Sequence, residues 1–168
     1  MNTRTPHPTP HPLLPWICAL ALTGCATAEQ RVALQPPVAA DAGVQVQDSR
    51  RDTNLKVRTA TDDIAVELQP PVAQALRNWV AASYTGPRPF YVGLQRLEVQ
   101  HQGGLTSGDE LSCTVESQVR VGGEVGRPVR TRVHNTASLT PDATSAVQLI
   151  VSQCLEAHAR DINTPVGR

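Results

Sequence analysis

The chain has 168 residues, and its fifteen basic and fifteen acidic side chains cancel, so no net field draws it to nucleic acid or to an anionic bilayer. Apolar residues make up 40% and charged residues 18%, a globular rather than a disordered composition. With four cysteines and one short apolar run, the sequence is neither a disulfide-dense mini-domain nor a polytopic membrane protein.

Residues 13 to 22, Leu-Leu-Pro-Trp-Ile-Cys-Ala-Leu-Ala-Leu, are apolar throughout. Ten residues cannot span a bilayer, which needs about 20, but they suit the apolar region of a secretory signal. The run ends in Leu22-Thr23-Gly24-Cys25, which matches the lipobox of bacterial lipoproteins. Its small residues let a peptidase approach the backbone, and the cysteine thiol accepts the diacylglycerol. Cleavage between Gly24 and Cys25 would discard residues 1–24 as a signal peptide and leave Cys25 acylated. Several acyl chains on one residue give stable anchoring. Ala26 follows, where an Asp would favour the inner membrane, so the expected location is the periplasmic face of the outer membrane. Residues 25–42 read as the lipidated cysteine and a flexible tether, broken by Pro36-Pro37. Residues 43–168 form the remaining single periplasmic domain.

Within that domain Val44 and Val46 alternate with Gln45 and Gln47, a short strand. A polar loop, Asp48-Ser49-Arg50-Arg51-Asp52-Thr53-Asn54, follows. Ile64, Val66 and Leu68 mark a second strand that stops at Pro70-Pro71. From there the period lengthens: Val72, Ala75, Leu76, Trp79 and Val80 predict a helix with Pro71 in its first turn, ending near Ser83. Phe90 to Val99 is a strand whose alternation slips between Leu94 and Leu97, which predicts a bulge. Leu111, Cys113, Val115, Val119 and Val121 share one face of a long strand, and after a glycine turn Val129, Thr131, Val133 and Asn135 share one face of the next. Pro141-Asp142 opens a last helix with an apolar stripe through Ala143, Ala146, Val147, Ile150, Val151, Cys154 and Leu155. The fold expected is α+β, a two-layer sandwich of about five mostly antiparallel strands with two helices on one face.

Cys113 and Cys154 both lie on apolar faces. In an oxidising compartment they are a candidate disulfide closing a loop of about 40 residues; the alternative is two buried small hydrophobes too far apart to bridge. Arg120, Arg130 and Arg132 lie with His134 on the polar face of adjacent strands. They are candidates for contact with a partner or with headgroup phosphates, against a solvated face balanced by Glu98 and Glu116. Trp79, Tyr84, Phe90 and Tyr91 cluster around the first helix end, as a packing anchor or as the wall of a small acyl groove. Ser49, Ser107 and Ser112 lack a Ser-His-Asp context. His101, His134 and His158 have no Cys or acidic partner at ligand spacing. No catalytic residue, metal or cofactor is expected.

With the lipobox, the Asp48-Ser49-Arg50 loop and this order of elements, residues 43 to 163 resemble the YajG-like family of bacterial lipoproteins. The likeness is strongest from Ile64 to Val80 and in the last helix through Ala159-Arg160-Asp161-Ile162. The family defines no catalytic residues, so the resemblance implies only the lipidated Cys25 and an envelope location. In architecture the chain also looks similar to small α+β lipoproteins that assist lipid or lipopolysaccharide transport. Two roles are therefore expected: a non-catalytic interaction module docking on an envelope partner, or an accessory that binds lipid between sheet and helices near Trp79.

Overall fold

The computed structural model describes residues 30–39, 43–59, 63–103, 110–136 and 143–164. The expected signal segment and Cys25 lie outside the described residues. In chain order the elements are β1 (Gln30–Ala33), β2 (Val44–Asp48), β3 (Leu55–Arg58), β4 (Asp63–Gln69), α1 (Val72–Ser83), β5 (Phe90–Gln102), β6 (Glu110–Val121), β7 (Arg127–Thr136) and α2 (Ala143–Asn163).

Seven strands form one mixed sheet in the order β1-β4-β3-β5-β6-β7, with β2 also paired to β5. The pairs β1–β4, β2–β5 and β3–β5 are parallel; β3–β4, β5–β6 and β6–β7 are antiparallel. The α+β class holds, but the expectation of about five mostly antiparallel strands is corrected. Two strands escape the sequence reading for a physical reason. β3 has only Leu55 and Val57 as apolar residues inside a charged segment, and β1 has only Val32, too few for a period to show. β1 also changes the picture of the tether. Val32 is fully buried and Leu34 nearly so, and the Leu34 amide donates to the Gln69 carbonyl at 2.6 Å. The sheet therefore begins at Gln30, thirteen residues before the expected start at Gly43.

The other boundaries follow the residues that predict them. α1 starts behind Pro71 in extended conformation, where the ring costs no hydrogen bond. The β5–β6 register shifts between Leu94 and Arg96, at the slip in the apolar pattern. Gly122 takes φ +60 in the β6–β7 turn, a conformation that suits glycine.

One apolar cluster joins the inner sheet face to both helices, including Leu55, Phe90, Leu94, Leu111, Leu76, Ile150 and Leu155. The sheet curls enough for α2 to touch β7 at one end of the strand order and β1 at the other. Arg127 of β7 donates to the Ile162 carbonyl at 2.6 Å and so satisfies an orphan acceptor at the α2 C-terminus. Asn163 donates to Ser83 Oγ at 2.6 Å and ties the two helix ends together. No helix among the described residues is long and apolar enough to cross a membrane.

If β1 belongs to the core, Leu34→Ala destabilises the protein by about 2–4 kcal/mol in urea titrations, whereas a residue in a solvated tether would change stability by less than about 0.5 kcal/mol.

Candidate interaction surface

The two faces of the sheet do different things. The helices cover the inner face; the outer face carries the polar half of every alternating strand. Across it runs a continuous ladder of opposite charges. Arg130 of β7 meets Glu116 of β6 at 3.3 Å, and Glu116 meets Arg96 of β5 at 3.7 Å. Arg96 pairs with Glu98, and Glu98 lies 3.5 Å from Arg58 of β3, which in turn lies 3.8 Å from Asp63 of β4. Burial pushes the Glu98 carboxyl up, but hydrogen bonds from Gln100 and Arg96 and the nearby arginine charges outweigh it and hold it below the usual carboxylate range. Three guanidinium groups and three carboxylates thus neutralise one another. Each exposed pair is worth little, but together they leave this part of the face without a net field.

The three candidate arginines do not converge. Arg130 is spent in the ladder. Arg132 stands in register with Thr114, exposed on the same face. Arg120 lies four residues, about 13 Å, along β6 from Glu116, and its guanidinium sits 5.8 Å above the Tyr91 ring. There Arg120 helps line a cleft of about 390 Å³ with Gln45, Gln47, Ser49, Tyr91, Gly93, Gln95 and Gln118. Gly93 makes the floor concave, since a Cβ built there would have nothing closer than 3.9 Å. Four primary amides present donors and acceptors together, and Arg120 supplies the one formal charge of the lining. Such a lining suits an extended polar or weakly acidic segment. It offers no group with the chemistry of a nucleophile activated by a base.

The rim of this cleft is held by the Asp48-Ser49-Arg50 loop. Arg50 Nε and Nη2 donate to the two Asp48 carboxylate oxygens at 2.9 and 2.7 Å, and Nη2 also reaches the Thr53 carbonyl at 2.9 Å. The Arg50 side chain is only 5% exposed. Burial raises the Asp48 pKa, but the hydrogen bonds and charge of Arg50 win and hold it below its ordinary value. The loop is a lock for the chain between β2 and β3.

The aromatic residues divide between the two faces. Tyr84 and Phe90 pack with ring centroids 4.7 Å apart and planes tilted by 55° at the exit of α1, and Tyr84 Oη donates to the Arg88 carbonyl at 2.8 Å. Tyr91 is on the outer face. Trp79 lines a separate surface cleft of about 520 Å³ with Gln35, Pro37, Ala82, Ser83, Glu156, Ala159 and Arg160. Between sheet and helices, where the acyl groove was expected, side chains such as Leu76, Val80, Val151 and Leu155 fill the interior at 0% exposure.

The structure joins Cys113 and Cys154 as a disulfide across the sheet–helix interface, with Cα atoms 6.1 Å apart. Near it lies a polar cluster that the sequence reading missed. His158, fully buried on α2, has Ser117 Oγ 2.8 Å from Nε2 and Thr131 Oγ1 2.8 Å from Nδ1. Thr131 Oγ1 also donates to Asp161 Oδ2 at 2.5 Å. That donation uses the one Thr131 hydroxyl proton, which sets the direction of the whole relay. Thr131 donates to Asp161, His158 Nδ1–H donates to Thr131, and Ser117 Oγ–H donates to Nε2. Burial lowers the His158 pKa to about 4 despite the nearby Asp161 charge. The visible signal was three polar residues, Ser117, Thr131 and His158, each in the apolar register of its own element. The group resembles a nucleophile with its base, yet Ser117 is 1% exposed and His158 0%. Neither lines the clefts described above.

No family model and no curated protein matches the chain. Among solved structures, that of a Xanthomonas campestris protein of family DUF330 is similar, covering 80% of this chain and 93% of that one with a TM-score of 0.54 and 14% identity. A minor lipoprotein from Acinetobacter baumannii covers 80% of this chain and 89% of its own, with a TM-score of 0.39 and 10% identity. At these identities the first likeness concerns the fold alone, and the second is too distant to carry an argument.

Two measurements test the interior. Above pH 6.5 His158 is neutral both folded and unfolded. Between pH 6.5 and about 4 the unfolded chain takes a proton that the folded one refuses. Stability should therefore fall by about 3 kcal/mol across that window, with His158→Gln flattening the dependence in denaturant titrations. Reducing the disulfide opens a loop with a sequence separation of 41. It should lower stability by about 3–4 kcal/mol, and Cys113→Ala/Cys154→Ala should then be insensitive to reductant.

Proposed function

We propose that the chain is a lipid-anchored lipoprotein of the bacterial cell envelope, of YajG-like type, whose domain is a non-catalytic periplasmic interaction module on the outer membrane. The observation that carries the reading is Leu22-Thr23-Gly24-Cys25 behind a ten-residue apolar run. Ala26 after the cysteine supports the outer-membrane location. The amide-lined cleft over β2, β5 and β6 is the docking surface: it lies on the face the helices leave open, and its rim is locked by Asp48 and Arg50. A non-catalytic role accords with the burial of the Ser117–His158 pair away from that cleft.

A second reading, an accessory lipoprotein that binds lipid or lipopolysaccharide or helps to transport it, is favoured by the Trp79 cleft. Its lining mixes the Trp79 and Pro37 rings with Glu156 and Arg160.

Affinity capture from membranes separates the two. Under the interaction reading, wild-type protein captures an envelope protein that Arg120→Glu loses, while Trp79→Ala keeps it. An empty capture with lipid co-purifying, lost in Trp79→Ala, supports the second reading and sinks the first. The anchor itself has its own test. Wild-type protein should sediment with membranes and yield an acylated Cys25 peptide by mass spectrometry, and Cys25→Ala should move to the soluble fraction.

A further inference from the structure

The place where the chain enters the sheet limits how the domain can stand on its membrane. This deduction rests on the proposed acylation of Cys25. A tether running to Gly43 would allow about 60 Å of extended chain between anchor and fold. The first described strand instead begins at Gln30, so four residues, 26–29, lie between the anchor and β1, and the five Cα steps span at most about 17 Å fully extended.

The strand register says what that leash can reach. Gln30 pairs with Val66, and Val66 with Leu55. β1 and β4 are parallel, so the N-terminal end of β1 faces the end of the sheet where β4 begins. That end carries Asp63, paired in register with Arg58, which is in turn level with Gln100. Asp63 is three residues, about 10 Å, from the level of Gln30, within the leash. The β6–β7 turn lies the other way. From Val115, opposite Leu97, β6 climbs six residues to Val121, about 20 Å, with Gly122–Glu124 beyond. Four strand spacings of about 4.8 Å separate β1 from β6 across the sheet. The turn is therefore out of reach of a 17 Å leash.

The chemistry of the near end suits a hydrated surface. Arg58 and Asp63 are exposed at its β3–β4 corner, within reach of the leash, and lie 3.8 Å apart. We propose that this corner of the sheet, bearing Arg58 and Asp63, is the membrane-facing part of the domain, held in the headgroup layer of its own bilayer. The Gly122–Glu124 turn points away from that bilayer, toward the periplasm.

The test uses the full lipidated protein in phosphatidylethanolamine–phosphatidylglycerol vesicles whose headgroups carry a quencher. With Cys25 acylated and Cys113 and Cys154 bridged, a new cysteine is the one free thiol for a fluorophore. Asp63→Cys and Glu124→Cys each remove one exposed ion pair, so their costs are matched. The Asp63 label should lose most of its fluorescence, while the Glu124 label keeps most of its own. A long Gly/Ser insertion between Glu29 and Gln30 should abolish the difference. Equal quenching at both ends, or the reverse order, overturns the proposal. If the protein does not float with the vesicles at all, the anchor reading fails and takes this one with it; flotation with equal quenching refutes the orientation alone.

Discussion

Most of the architecture depends on β5. It has thirteen residues where its neighbours β2 and β3 have five and four, and it is paired along its whole length with β6. Its other edge is shared. β2 runs parallel to its first half, Phe90 to Leu94, and β3 parallel to its second, at Val99 and Gln100. Between them the chain makes a six-residue excursion, Ser49 to Asn54, beside the place where β5 bulges. A long strand cannot hold two successive partners in register across a bulge unless something pins the crossing. The buried Arg50–Asp48 fork does so, and the Ser49 amide adds the last hydrogen bond of the β2 ladder by donating to the Leu94 carbonyl at 2.8 Å. The cleft on the outer face follows directly: it is the hollow left where β2 ends, with Gly93 as its floor.

The interior shows a second constraint. Three polar side chains point into an otherwise apolar core, and an unpaired one there would cost about 1–3 kcal/mol. Each is matched to the next, and the series ends at Asp161, on the exposed side of α2. The arrangement has the geometry of a hydrolytic pair without an entrance. Its role is to fix how α2 sits on β6 and β7, together with the disulfide beside it and Arg127 at the helix end. Resemblance to a catalytic constellation is decided by access as much as by distance.

Much of this was legible in the sequence wherever a pattern ran long enough to have a period. Pro70-Pro71 marks the passage from β4 to α1 because proline is costly inside a helix and harmless at its start. The slip between Leu94 and Leu97 gives away the bulge, and the α2 stripe runs through seven apolar positions. β1 and β3 were invisible because one or two apolar residues establish no period, and their neighbours Pro36-Pro37 and Arg51-Asp52 speak for loops. Without those two strands two of the three parallel pairings vanish, and the third, β2 with β5, is a matter of pairing direction, which alternation does not report. The arginines illustrate a different limit. Alternation places Arg120, Arg130 and Arg132 on one face, but only register shows that Arg130 sits opposite Glu116 while Arg120 stacks on Tyr91.

The strand that most alters the functional picture is also the least conspicuous. β1 turns a segment that reads as tether into part of the sheet, and so, under the proposed acylation of Cys25, draws the domain down to its anchor. Whether that segment is structure or leash is settled by hydrogen exchange on the lipidated protein in vesicles, read at the Leu34 amide that donates to Gln69. If β1 is part of the fold, Leu34 exchanges as slowly as the amides of β4 that share its opening. Exchange at the rate of an unstructured chain would mean that Gln30 to Leu34 is solvated tether, and the short attachment to the membrane would be wrong.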